Sequence, residues 1–172
     1  MWTEPFWIVL PENLTGRLAT MPRPRGNDWL EDELKRQKWN GADIVVSALQ
    51  AGENRELGLV DEAELCSTLG LRFLSFPIED IGVPDDRRRF TELTVELAQN
   101  VEEGASVVIH CRQGIGRASL IAAGVLFQMG VNEPWAAVTT ARGRPVPDTE
   151  AQKRWWDLWA EDLETSSSRS RT

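Results

Sequence analysis

The sequence predicts an α/β fold with a central, mostly parallel sheet of about five strands flanked by helices. Three observations lead there. Short apolar runs alternate with helix-period segments almost to the end of the chain. The consecutive β-branched residues Val107, Val108 and Ile109 read as a strand covered on both faces, hence a central one. A length of 172 residues suits one domain, which at that size buries roughly 70% of the surface its unfolded chain exposes.

The expected strands are Phe6 to Leu10, Arg17 to Met21, Asp43 to Ala48, Phe73 to Phe76 and Ser106 to His110. A first helix is expected from Asp28 to Trp39, capped by Asn27 or Asp28, and a second from Asp61 to Leu69, stopped by Gly70. A longer one runs from about Asp86 to Glu102 and ends before Gly104. Arg117 to Met129 is apolar nearly all round, so that helix should be buried. Asn132 caps a short helix with Pro134 in its first turn, and Thr149 or Asp148 caps one reaching about Leu163. Residues 1–164 are therefore expected to form a single domain. The polar, Ser-rich segment Thr165 to Thr172, with no apolar anchor, is expected to be a disordered tail.

Composition excludes several function classes. Apolar residues make up 41% and charged residues 27%, an ordinary globular balance. The net charge is −8, and the body is more acidic still without the tail, whose only charges are Arg169 and Arg171. Nucleic-acid binders draw their non-specific affinity from clustered cations, so no nucleic-acid partner is expected. Two cysteines, Cys66 and Cys111, make no disulfide framework, and one histidine, His110, leaves too few ligands for a zinc site, so no metal and no cofactor are expected. Met1 to Leu10 carries Glu4 and lacks the pattern of a secretory signal, and no stretch approaches 18 apolar residues. The expectation is a cytoplasmic monomer without a membrane partner.

The chemistry lies between the buried strand and the buried helix, in His110-Cys111-Arg112-Gln113-Gly114-Ile115-Gly116-Arg117. A turn that enters a helix N-terminus gathers backbone N–H groups around one concavity, and its glycines permit positive φ; the product is a cradle for a tetrahedral oxyanion. The same field and a nearby guanidinium favour the thiolate, which makes Cys111 a nucleophile. Arg117, at the far end of the loop, can hold two oxygens with its planar fork, as a lysine could not.

This run resembles the signature of the protein tyrosine phosphatase superfamily, His-Cys, five residues, then Arg, placed after a buried strand and before an apolar helix. The region from about Arg17 to Trp156 is similar to the compact dual-specificity branch, within it to the kinase-associated phosphatase type and its small bacterial relatives. Low-molecular-weight phosphatases carry their loop near the N-terminus instead, and rhodanese loops usually hold one residue fewer. The resemblance implies the cysteine-dependent phosphatase fold and hydrolysis of phosphate monoesters through a phosphocysteine: phosphotyrosine, and phosphoserine or phosphothreonine, of proteins, or a small phosphoester. Cys111 would be the nucleophile. Arg112, Gln113, Gly114, Ile115, Gly116 and Arg117 would bind phosphate, a place that sulfate or vanadate could also take, while His110 would fix the loop and tune the thiol. Lipid-directed members often carry lysine at the positions of Arg112 and Ile115; only one is basic here, which favours a phosphoprotein or small phosphoester over a phosphoinositide. Two competing expectations are a catalytically weak phospho-ligand binding module and a sulfur or arsenate transferase using the same thiolate.

The branch also uses an aspartate about thirty residues before the cysteine to protonate the leaving oxygen. Asp80, in Phe76-Pro77-Ile78-Glu79-Asp80, fits; the alternatives are Asp85 and Asp86, more simply read as helix-capping residues. Gln152, in Pro147-Asp148-Thr149-Glu150-Ala151-Gln152, matches the glutamine that orients the hydrolytic water, against the plain reading of an exposed helix residue. One position departs. The family has Ser or Thr after the arginine, where its hydroxyl supports breakdown of the phosphocysteine; here Ala118 stands there, with Ser119 one step on, about 100° further round the helix. Arg23, Arg25, Arg142 and Arg144 either rim a positive mouth or are simply solvated. Cys66 reads as a buried structural thiol, or as a redox partner of Cys111 of the sort found elsewhere in the superfamily.

Overall fold

The structure, a computed structural model, describes residues 1–170. One sheet is built from β1 (Phe6–Trp7), β2 (Arg17–Pro22), β3 (Ile44–Ser47), β4 (Arg72–Ser75) and β5 (Ser106–Cys111), in the order β1-β2-β5-β3-β4. Only β1 runs antiparallel; the other pairings are parallel. Every residue of β5 and of β3 is buried, as their β-branched runs require of strands with no solvent face.

Alternate side chains of the sheet feed two apolar layers. Leu18, Ile44, Val46, Val107 and Ile109 pack with α4 (Arg87–Glu102), α5 (Arg117–Gln128), α6 (Pro134–Arg142) and α7 (Glu150–Arg169). Ala19, Met21, Val45 and Val108 face the other layer, with α1 (Leu30–Trp39) and α3 (Glu62–Thr68). The helix α5 is buried nearly all round and lies so close to α4 that a Cβ on Gly124 would stand 2.7 Å from Cγ2 of Thr94.

Parallel pairing brings the C-terminal ends of the strands to one edge. Pro22 stands opposite Cys111 and Ser47 opposite His110, so the loops that leave β2, β3, β4 and β5 converge there.

Several boundaries differ from the sequence reading. The strand β1 stops at Trp7 rather than Leu10, and a 3-10 turn over Asn27–Trp29 leads into α1. The helix α6 is capped by Glu133, not Asn132. The short α2 (Ala51–Glu56) was not anticipated, because six mostly polar residues carry no apolar period; a capping box between Gln50 and Glu53 defines its start. Helix α7 does not end near Leu163. It continues to Arg169, with the hydroxyls of Thr165, Ser166 and Ser168 donating to the carbonyls of Glu161, Asp162 and Glu164 at 2.9, 2.8 and 3.0 Å. The expected disordered tail is thus helical over 165–169; its last residues, Arg171 and Thr172, lie outside the described residues. No helix among the described residues is long and apolar enough to cross a membrane.

Candidate active site

Cys111 ends β5 on the floor of a small cleft, 3% exposed. The cleft has a volume of about 100 Å³ and is walled by Asp80, Ile81, Arg112, Gln113, Gly116, Arg117, Asp148 and Gln152. That is the scale of a small anion, well below the few hundred Å³ of a cofactor pocket.

The loop 110–117 keeps its shape through three fixings. Gly114 has φ +67, and a Cβ there would lie 2.4 Å from the carbonyl carbon of Met21, so only glycine fits. Arg142, at the end of α6, donates from Nε to Gly114 O at 2.9 Å and from Nη2 to Gln113 O at 3.0 Å, its guanidinium lying 4.0 Å over the ring of Phe6. In a trans peptide the N–H points opposite the carbonyl before it, so these two bonds turn the amides of Gly114 and Ile115 away from Arg142. Finally, Arg23 N donates to Arg112 O at 3.3 Å, which continues the β2–β5 ladder into the loop.

Arg117, the first residue of α5, is 2% exposed, and both of its terminal nitrogens are hydrogen-bonded. Nη1 donates to Glu53 Oε2 at 2.7 Å and to Ile78 O at 2.9 Å; Nη2 donates to Glu53 Oε1 at 3.0 Å and to Asp80 Oδ1 at 2.9 Å. Burial works against this charge, but hydrogen bonding to Glu53 and the negative charges at Cys111, Glu53 and Asp80 raise the guanidinium's pKa above its ordinary value. Glu53 is the reciprocal case: burial opposes its charge, while bonds from Arg117, the Gln50 amide and Arg112 hold the carboxyl below its usual range.

The sequence reading missed Glu53. The spacing of Gln50 and Glu53 marks a helix start, but nothing local ties Glu53 to a guanidinium 64 residues away. Glu62 was missed likewise: its Oε1 lies 2.8 Å from Nε2 of His110, with both side chains buried, so His110, the neighbour of Cys111, is anchored from α3.

The remaining candidates fall as follows. Asp80 sits at the rim, its Oδ1 accepting from Arg117 and from the amide of Ile81 at 3.1 Å. Ile81 takes φ 54, a left-handed conformation that costs a β-branched residue about 1–2 kcal/mol, so the loop that carries Asp80 is strained. Asp86 caps α4, accepting from Arg89 N at 3.1 Å, the simpler of its two readings. Gln152 is fully buried, not the exposed helix residue of the plain reading. Its Oε1 accepts from the amides of Asp148 and Thr149, each at 3.2 Å, and its Nε2 donates to Gly82 O at 3.0 Å. It is a strut that ties the start of α7 to the Asp80 loop and presses on Gly116, where a Cβ would meet it at 2.9 Å.

Arg112 contributes backbone to the loop, but its side chain turns to α2, bonding Glu53 at 3.3 Å and Glu56 at 3.2 and 3.3 Å. Its charge is compensated by Glu53 and Glu56, so Arg112 adds little to the positive mouth that was one of the two readings of the arginines. Arg25 pairs with Glu33 and lies 4.4 Å over the ring of Trp29, and Arg142 clamps the loop rather than rimming the cleft. Ala118 and Ser119 are buried on α5 and neither walls the cleft. Cys66 packs in the layer opposite Cys111, and burial followed by the Glu62 charge pushes its thiol up to about 12, which fits the structural reading.

The family model described as "Tc-R-P: Polymorphic toxin system, DSP-PTPase phosphatase" matches residues 19–131, most of the chain, including the whole loop 110–117. The chain belongs to that family. It is a DSP-PTPase, a cysteine-dependent protein phosphatase, and its substrates are phosphorylated molecules. No curated protein matches this DSP-PTPase. Among solved structures it is similar to kinase associated phosphatase (KAP) bearing a serine for its catalytic-site cysteine, with a TM-score of 0.82, 18% identity, and 95% and 97% of the two chains covered. Tk-PTP in the active form gives a TM-score of 0.69 at 24% identity over 88% and 99% of the chains. PTPMT1 in complex with PI(5)P gives 0.71 at 16% identity over 97% and 99%. At these identities the likenesses show the fold: a dual-specificity phosphatase sheet with its helices.

Proposed function

We propose that this DSP-PTPase hydrolyses phosphate monoesters in two displacements at Cys111, without a metal, with phosphoproteins or small phosphoesters as substrates. The observation that carries the proposal is the pairing of a sulfur on the floor of an anion-sized cleft with a buried, Glu53-locked Arg117 on its wall. The Cys111 thiolate attacks phosphorus in line, while the amides of Gly114 and Ile115, with others of the loop, and the Arg117 fork stabilise the equatorial oxygens. Entry of the dianion takes Nη2 of Arg117 away from Asp80. The released carboxyl, in its protonated form, then gives its proton to the departing oxygen. Gln152 serves by holding the Asp80 loop and α7 against Gly116. Water finally cleaves the phosphocysteine, the Asp80 carboxylate left by the first step taking its proton, and inorganic phosphate leaves.

Turnover of an aryl phosphate in the presence of EDTA, its inhibition by vanadate, and its loss in Cys111→Ser are the expected results. Substantial hydrolysis by Cys111→Ser, or activity that chelation removes, would overturn the proposal. Phosphotyrosyl and phosphothreonyl peptides and phosphoinositides, assayed with wild type and Asp80→Asn, test selectivity and the acid together. Asp80→Asn should lose most activity on esters with poor leaving groups and much less on activated aryl phosphates.

A further inference from the structure

Arg112, Arg117 and Arg142 all act on the loop 110–117, but they are held in different ways. Arg112 and Arg117 bond carboxylates. Arg142 pairs with no carboxylate among the described residues: it donates to Gly114 O and Gln113 O, and its guanidinium otherwise meets the ring of Phe6, 4.0 Å away. Burial and the neighbouring Arg144 charge lower the Arg142 pKa, while the negative charge at Cys111 acts the other way. For a partly buried cation without an anionic partner, the negative face of an aromatic ring is the group that answers its charge. The bond to two successive carbonyls also requires the guanidinium to keep one plane, and a ring in contact with its central carbon limits the room in which it could swing away.

The strand β1 brings Phe6 to this place. It pairs with β2, Phe6 opposite Thr20 and Trp7 opposite Ala19, and Ile8 N donates to Leu18 O at 2.9 Å. Successive side chains of a strand leave on opposite faces. Phe6 therefore covers Arg142, whereas Trp7 packs with the other apolar layer and covers Arg17 at 4.1 Å. Arg17 stands opposite Ser106, at the far end of the parallel strands from Cys111. The two rings of β1 thus make the same kind of contact with two guanidiniums, one tied to the loop and one remote from it. Neither Phe6 nor Arg142 falls within residues 19–131, the stretch that the family model matches.

We infer that Phe6 is a positioning residue for phosphate binding: through Arg142 it holds the carbonyls of Gln113 and Gly114 in place and so keeps the amides of Gly114 and Ile115 available to the anion. The inference rests on the reading above, in which those amides bind the phosphoryl group. The N-terminal strand then supports the anion site without touching substrate.

The test uses the full chain, an aryl phosphate and vanadate. Phe6→Leu keeps an apolar side chain in β1 and removes the ring; it should lower kcat/KM and vanadate affinity about threefold, the scale of one partly exposed cation–π contact. Phe6→Tyr keeps the ring and should match wild type. In Arg142→Gln the fork is already gone, so adding Phe6→Leu should cost nothing further, whereas independent effects would multiply. Trp7→Leu makes the same exchange at the other ring of β1; it should lower the melting temperature and leave turnover unchanged. Equal losses of turnover in Phe6→Leu and Trp7→Leu, wild-type turnover and vanadate affinity in Phe6→Leu, or multiplied losses in the double variant would overturn the inference. If wild type neither hydrolyses the aryl phosphate nor binds vanadate, the phosphatase reading fails and takes this inference with it; if it does both and Phe6→Leu equals it, only the role of Phe6 fails.

Discussion

Glu53→Gln removes the charge that faces Arg117 while keeping the side chain's size. Arg117 is 2% exposed and the Glu53 side chain 10%, so the pair is largely out of water. Deleting one partner of a buried pair costs about 3–5 kcal/mol, mainly because the other charge is left uncompensated. Two contacts of Arg117 survive, to Ile78 O and to Asp80, and the latter is more than half exposed, so we expect the loss to be about 2–3 kcal/mol. In a domain of this size that lowers Tm by roughly 4–12 °C. The acid dependence has a definite sign. Glu53 is held below its ordinary value of 4.5, so its contribution is present in full above that pH and is lost as pH falls through the lower, folded value. Urea titrations of wild type and Glu53→Gln should therefore differ most at pH 7 and converge in acid. Equal midpoints at pH 7, or a gap that widens on acidification, would refute the reasoning. Vanadate should also bind the variant more weakly, since its guanidinium is no longer fixed.

Three further outcomes follow from the same geometry. Gly114→Ala places a methyl against the Met21 backbone at a φ of +67 and should cost more than about 2 kcal/mol together with nearly all activity, as read by thermal melts and turnover; an active, stable variant would contradict the loop's close approach to β2. Arg142→Gln should lower kcat/KM about tenfold by freeing the carbonyls of Gln113 and Gly114, and Arg142→Lys should restore only part, since one ammonium lacks the fork that spans both; a change under twofold would count against the clamp. Iodoacetamide at neutral pH should label Cys111 and spare Cys66 until urea unfolds the chain. Because the Cys66 thiol is raised from 9.0 to about 12, the unfolded chain sheds that proton first, and Cys66 should draw stability down as pH rises through this window; Cys66→Ala should flatten that part of the profile.

Where sequence and structure agree, the signals are local. The β-branched run of β5 required a strand with two covered faces, and a strand so covered lies inside the sheet. Cys111, the glycines and Arg117 fall on seven consecutive residues, so the turn that gathers them is written in one stretch of chain. Asp80 was reached through the resemblance, at its spacing from the cysteine. The misses share another cause. The Ser-rich end of α7 reads as a tail by composition, and its hydroxyls sustain the helix by bonding back to carbonyls one turn earlier.

The order of residues by itself determined the sheet-forming runs, the buried helix and the loop 110–117, because each depends on neighbours within a few positions. Only the folded chain decided which polar groups meet: Glu53 with Arg117, Glu62 with His110, and Arg142 with the loop carbonyls. An exposed glutamate and a buried partner of a guanidinium look alike in a string of letters. Parallel strands that end at one edge bring residues from four separate loops within hydrogen-bond reach, and hydrogen bonding acts on distance in space, which sequence separation does not carry.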